Sequence, residues 1–270
     1  MSTPLERLGA SLRSAHRVAF LTGAGISAES GIATFRDRQT GLWARYDAAE
    51  LATPQAFERD PALVWGWYEW RRAQVRDARP NAGHLAIAAM ATRLPQLTLI
   101  TQNVDDLHER AGSTGVIHLH GELARSRCFD CGREPDGPPG HIDSPAPAPH
   151  ASAPSAQEQG PPGPVEPPHC RHCGGYLRPG VVWFGERLPP EAWRCAEAAA
   201  RRSEIFFCCG TSSVVQPAAS LTDIAAAAGA ITVQINPDET GIEHRVSVAL
   251  RAKAGEVLPA LLAAAWDARA

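Results

Sequence analysis

The chain has 270 residues, 44% of them hydrophobic and 20% charged, with a formal net charge of −3 at pH 7. This is an ordinary soluble globular make-up, long enough for one large domain or two modest ones with a real core. The charge gives no electrostatic footing for nucleic acid as the main ligand, no apolar run approaches the roughly 20 residues of a membrane span, and Met1–Ser14 lacks a secretory apolar core, so a cytoplasmic protein with no membrane partner is expected.

Leu5–Ala15 reads as a helix leading into the apolar strand Val18–Thr22. The strand runs into Gly23-Ala24-Gly25-Ile26-Ser27-Ala28, a G-x-G-x-x-A pattern of the kind that holds a dinucleotide phosphate, and Gly25–Ser30 should open a helix. The chain then continues through the polar, irregular Thr34-Phe35-Arg36-Asp37, unlike a dehydrogenase. From Asp37 to Pro80 it turns helical and aromatic, with Trp43, Trp65, Trp67 and Trp70, too elaborate for a simple crossover. Gly83–Leu94 reads as a helix, Leu97–Thr101 and Val116–His120 as strands, Ile205–Cys209 and Ile231–Ile235 as two more, Pro217–Ala228 and Val257–Trp266 as helices. Strands alternating with helices predict an α/β protein with a parallel, doubly wound sheet.

Two stretches interrupt that sheet, roughly Asp37–Arg79 and Arg125–Leu177. Within the second, Glu134–Pro168 holds 12 of the 23 prolines and no Phe, Trp or Tyr. Such a composition buries too little apolar area to offset its ordering entropy, and predicts a disordered excursion.

The excursion is bracketed by Cys128-x-x-Cys131 and Cys170-x-x-Cys173. Two such pairs can close a tetrahedral zinc site made of four thiolates, structural because no ligand position stays open. A redox role is the alternative for either pair. The 38 intervening residues exceed the usual ribbon spacing, which the excursion accommodates because loop-closure cost grows only logarithmically. Cys195, Cys208 and Cys209 read as small residues packed in a helix and a strand.

Gln102-Asn103-Val104-Asp105 falls at the carboxyl end of a strand, the edge where open α/β sheets bind ligands, although Asn and Asp there could equally cap the next helix. Alternation along Ile117–His120 puts His118 and His120 on one face, with His120 at the strand end where a base would stand. A structural histidine is the alternative. Gly210-Thr211-Ser212 offers backbone N–H groups and hydroxyls to a phosphate or ribose, or caps a helix. In "WYEWRR", Tyr68 and Arg71 project from one helix face, which by itself is also what an amphipathic helix with a buried aromatic side would show.

Taken together, GAGISAESGIATFR at Gly23–Arg36, QNVD at Gln102–Asp105, HLHG at His118–Gly121, the cysteine pairs, VVWFGE at Val181–Glu186 and GTS at Gly210–Ser212 resemble the sirtuins, in the family's order and over nearly the whole chain. The resemblance implies a Rossmann-like NAD-binding domain (1–36, 80–124 and 178–270) and a smaller module made of a helical insert (37–79) and a zinc ribbon (125–177), with the active cleft between them. It implies an NAD-dependent protein-lysine deacylase, in which NAD is consumed as a co-substrate and no hydride moves. Gly23, Ala24, Gly25, Ser27 and Ala28 would hold the pyrophosphate and ribose, and Thr34, Phe35 and Arg36 would belong to the same NAD-binding stretch, the last two in a loop over nicotinamide. Gln102, Asn103 and Asp105 would serve the ribose and carboxamide. Gly210, Thr211, Ser212 and Asn236 would take the adenosine side, with Ala254 near the adenine. Val182, Trp183, Phe184 and Gly185 would pair by backbone with an extended acyl-lysine peptide. His120 would act as general base on the ribose hydroxyls, giving free lysine, nicotinamide and O-acyl-ADP-ribose.

Within the resemblance, Tyr68-x-x-Arg71 looks like the signature of the desuccinylase and demalonylase class, holding the distal carboxylate of a succinyl, malonyl or glutaryl group, with Ala56 leaving room for the longer chain. Acetyl would also be removed. One structural zinc and a monomer are expected. Two alternatives use the same NAD site: a protein mono-ADP-ribosyltransferase, and an NAD-sensing zinc-ribbon interaction module.

Overall fold

The computed structural model describes residues 3–34, 47–136 and 163–267. Phe35, Arg36 and most of the proline-rich excursion lie outside the described residues. Helix α1 (Pro4–Ser14) opens with Thr3 and Glu6 in a reciprocal capping box and leads into β1 (Arg17–Thr22), buried over all but its first residue. The glycine turn feeds the short helix α2 (Ala24–Ala28). Three helices follow: α3 (Ala48–Leu51), α4 (Pro54–Arg59) and α5 (Pro61–Asp77). Asp60 caps α5 through Leu63 N–H and Pro61 takes its first turn, where a missing N–H costs nothing. Next come α6 (Ala82–Ala91), β2 (Gln96–Thr101), α7 (Leu107–Arg110) and β3 (Ile117–His118). The ribbon strands are β4 (Gly121–Cys128) and β5 (Leu177–Val181). The chain closes with α8 (Pro190–Arg202), β6 (Ile205–Cys209), α9 (Ser220–Ala227), β7 (Ile231–Ile235), β8 (Val248–Leu250) and α10 (Ala254–Leu262).

Six strands form an all-parallel sheet in the order β3-β2-β1-β6-β7-β8, the Rossmann arrangement. One face packs on α1, α6 and α10 around Leu12, Phe20, Ile87, Phe207 and Leu258, the other on α8 and α9 around Leu21, Ile100, Phe206 and Leu221. Strands covered on both faces carry near-continuous apolar runs, which is how β1 and β6 read. The strand order reverses between β1 and β6, so their carboxyl-end loops flank the crevice where such sheets bind ligands.

The smaller module packs helices α3–α5 against the antiparallel pair β4–β5, around Phe57, Trp67, Tyr68, Leu123, Val181 and Trp183. Buried Arg72 ties the two parts together, donating to the carbonyls of Leu123 and Arg125 and to Ser126 Oγ. Boundaries at 124/125 and 177/178 therefore cut through this two-stranded sheet, which runs from Gly121 to Val181. Residues 163–168, expected to belong to the disordered excursion, are instead seated on the module. Val165 N–H donates to Ala62 O, and Gly66 leaves room for the backbone at Gly163. Among the described residues no helix is long and apolar enough to cross a membrane.

Candidate active site

The switch-point loops meet backbone to backbone. Gly23 and Gly25 donate to the carbonyls of Cys209 and Gly210. A Cβ at Gly25 would lie 2.7 Å from Gly210 Cα, and Gly210 itself has φ +60°. This leaves a shallow main-chain cradle at glycines whose own N–H groups are already bonded within the chain and where a Cβ would clash. Gln102 Nε2 reaches across to Thr211 Oγ1 at 3.0 Å, and Asn236 Nδ2 holds Thr211 O at 2.9 Å. No helix starts directly after Gly210-Thr211-Ser212, since α9 begins at Ser220, so helix capping does not account for the motif.

Below the cradle, Ser27 is a hub. Its hydroxyl donates to Asp105 Oδ2 at 2.9 Å and accepts from Asn103 Nδ2 at 3.0 Å. Asp105 Oδ1 takes Leu107 N–H, so it does brace the start of α7 while its other oxygen belongs to the polar array. Burial pushes the Asp105 carboxyl upward against those hydrogen bonds. Thr101 Oγ1 accepts Asn103 N–H, and is in turn held by Thr22 Oγ1 at 2.9 Å.

His120 stands across the cleft. Its Nδ1 lies 2.9 Å from Gln102 O. A carbonyl only accepts, so Nδ1 carries the proton and Nε2 keeps a free lone pair. Burial holds the imidazole below its ordinary value and therefore neutral at pH 7. His118, predicted to share its face, turns away. The strand stops at His118, alternation ends there, and His118 Nε2 pairs with Glu109 at 2.8 Å. Burial alone would lower His118, but the Glu109 carboxylate outweighs it and raises it.

The glycine turn, Ser27, Gln102, Asn103, Asp105, His120, Gly210, Thr211 and Asn236 line one cleft of about 390 Å3 together with Ala24, Thr34, Ser212, Tyr68, Arg71 and Val182–Gly185. The module thus completes a site that the sheet begins. Three predicted residues are not brought to it. Ala28 is exposed at the end of α2, Ala254 is buried in the core at the start of α10, and Ala56 faces the aromatic core from α4. Ala52, just before the Thr53-Pro54 helix start, belongs to the same core cluster and also lines the cleft. Three of the four N–H groups in the run Val182–Gly185 are already bonded within the chain. Val182 N–H donates to His120 O, Trp183 N–H to Glu186 Oε2 and Phe184 N–H to Ala52 O. A bound peptide could therefore find a free donor only at Gly185, and must otherwise use carbonyls.

Away from the cleft, the sulfurs of Cys128, Cys131, Cys170 and Cys173 all lie within 4.8 Å of one another. Cys128–Cys173 are 3.4 Å apart and Cys131–Cys170 3.8 Å. A tetrahedral site with Zn–S bonds of about 2.3 Å needs sulfurs roughly 3.8 Å apart, so the four fit a closed structural zinc.

The model of the Sir2 family matches residues 23–217. The chain belongs to the Sir2 family. Among its sirtuin relatives, the NAD-dependent protein deacylase of Methylococcus capsulatus is 51% identical over 259 residues, covering 96% of each chain. A solved Sir2 homologue in complex with NAD superposes with a TM-score of 0.81 at 45% identity, covering 99% of this sirtuin and 96% of that chain. A Sir2 complex with a p53 peptide and NAD+ gives a TM-score of 0.76 at 26% identity, covering 95% and 96%.

Proposed function

We propose that this sirtuin is an NAD-dependent protein-lysine deacylase that removes acidic acyl groups (succinyl, malonyl or glutaryl) at least as readily as acetyl. The observation that carries the acyl preference is the pairing of Tyr68 and Arg71 in the cleft wall, with Ala52 the small neighbour that leaves chain-length room. An Arg fork matches a carboxylate bidentately. The Tyr68 hydroxyl, pushed up to about 12 mainly by burial, stays a protonated donor.

NAD fits the residues present. The glycine turn, free of side chains, admits a pyrophosphate close against the main chain, and the Ser27–Asn103–Asp105 array offers fixed polar partners to a ribose and a carboxamide. Bound NAD supplies a carbon made electrophilic by a cationic leaving group. The chain's own part is to hold the reactants together, exclude water and move one proton. His120 Nε2 would take that proton from a ribose hydroxyl, a role supported by the bond from Nδ1 to Gln102 O, which leaves Nε2 unprotonated. The groups invoked would act on extended acyl-lysine segments. A cytoplasmic site of action is in keeping with four clustered thiols arranged as metal ligands rather than disulfides.

The test is steady-state kinetics on matched acetyl- and succinyl-lysine peptides with NAD. Charged hydrogen bonds of about 1.5–3 kcal/mol predict that Arg71→Met loses roughly 10- to 100-fold on succinyl and far less on acetyl. His120→Ala should lose roughly 10²–10⁴-fold on both. Equal losses in Arg71→Met, or a parent enzyme without measurable desuccinylation, would refute the acyl preference.

A further inference from the structure

We propose that Trp183 is a positioning residue for acyl selectivity, fixing the Tyr68 hydroxyl so that its proton is presented to the distal end of the acyl chain. The inference rests on the acidic-acyl reading above.

Trp183 Nε1 lies 2.9 Å from the Tyr68 hydroxyl. An indole N–H can only donate, so the Tyr68 oxygen is the acceptor. The phenol's own proton finds no acceptor among the described residues, although Tyr68 is 2% exposed. A buried hydroxyl proton without a partner costs free energy. Tyr68 lines the cleft, so a ligand with an acceptor at that depth removes the cost and one ending in a methyl does not. A carboxylate is the acceptor best suited to it, with Arg71 one helical turn further along α5.

The anchor is itself rigid. The Arg178 guanidinium lies 3.3 Å from the centroid of the Trp183 ring, and Arg178 is held by Glu186 and by Val181 O. Glu186 also accepts Trp183 N–H at 2.8 Å. Phe57 packs at 5.4 Å between ring centroids. The indole therefore has little freedom, and the hydroxyl it holds inherits that fixity. Such preorganisation lowers the ordering cost of binding one ligand class without touching the reacting atoms.

Trp183→Phe keeps an aromatic ring and removes the donor. On matched peptides it should lower the succinyl-to-acetyl ratio of kcat/KM by roughly 2- to 13-fold, the span of one neutral hydrogen bond, mainly through KM for the succinyl peptide. In a Tyr68→Phe background the same change should leave the ratio where Tyr68→Phe puts it. A ratio unchanged by Trp183→Phe while Tyr68→Phe lowers it would overturn the proposal, as would an equal drop in both backgrounds. If the parent does not desuccinylate, or neither Tyr68→Phe nor Arg71→Met moves the ratio, the acidic-acyl reading itself has failed. A readout independent of any change at Trp183 is its indole N–H resonance. It should shift in Tyr68→Phe and on adding succinyl-lysine peptide, more than on adding the acetyl peptide. A resonance indifferent to all three would also overturn the proposal.

Discussion

Lowering the pH from 7 to 5 is expected to destabilise the fold through two imidazoles packed near the Gly23–Ser27 turn. His84 and His108 are 0% and 1% exposed, with ring centroids 4.8 Å apart. His108 Nε2 bonds Thr22 Oγ1 at 2.9 Å, while His108 Nδ1 and His84 Nε2 have no hydrogen-bond partner among the described residues. A second proton on either ring would be a buried charge without an acceptor. Burial accordingly lowers His84 from 6.5 to about 4 and His108 to about 3. The unfolded chain takes up both protons near 6.5, and the folded protein does not until well below pH 5. The unfolded state thus holds more protons throughout that window, and stability falls as the pH drops. At about 1.36 kcal/mol per pH unit, pH 5 costs about 2 kcal/mol for each ring, a large share of a typical ~5–15 kcal/mol. His118 works in the opposite sense, because its raised value strengthens its Glu109 pair as the pH falls through 6.5. A single variant isolates one ring from that background. His108→Gln keeps an amide within reach of Thr22 and does not titrate. Urea midpoints at both pH values, with zinc in the buffer, should show it less stable than the parent at pH 7. Its loss on going to pH 5 should nevertheless be about 2 kcal/mol smaller. An equal loss in parent and variant would refute the reasoning.

Gly25→Ala should fold poorly or lose NAD binding, because its Cβ would meet Gly210 backbone that has nowhere to move; calorimetric titration with NAD against melting temperature checks which. Cys173→Ser should lose the single zinc per chain and melt the ribbon with it, since structural zinc contributes folding energy outright. Metal analysis showing full zinc in folded Cys173→Ser would remove Cys173 from the ligand set.

The central sheet was legible because its strands are buried on both faces. Val18–Thr22 and Ile205–Cys209 are continuous apolar runs of strand length bounded by the glycine turns that follow them. The edge was not. Strand β8 is only three residues long with none of them buried, and β3, read as Val116–His120, ends after two because the chain turns into the ribbon at Gly121, φ +74°. Strand β4 reads as polar, with Arg125 and Arg127 in it, because a two-stranded sheet has one wet face. Residues of the cleft that lie in compact motifs, such as Gly23–Ser27 and Gln102–Asp105, declared themselves by spacing. Ala52 did not, since two alanines four apart differ only in that Ala56 lies inside a helix and Ala52 at a break. The Trp183–Tyr68 bond joins positions 115 apart, and no local pattern encodes it.

The interleaving of the two units also fixes an order of events during synthesis. Phe57, Trp67 and Tyr68 leave the ribosome early, yet Leu123, Val181 and Trp183 complete their packing. At translation rates of about 5–20 residues per second, the wait between Tyr68 and Trp183 lasts roughly 6–23 s. Throughout that interval the nascent chain carries an uncovered aromatic helix, and β1 likewise waits for β6. Chains released before Trp183 would present that surface permanently, so premature termination in this gene yields sticky fragments rather than a usable half-protein.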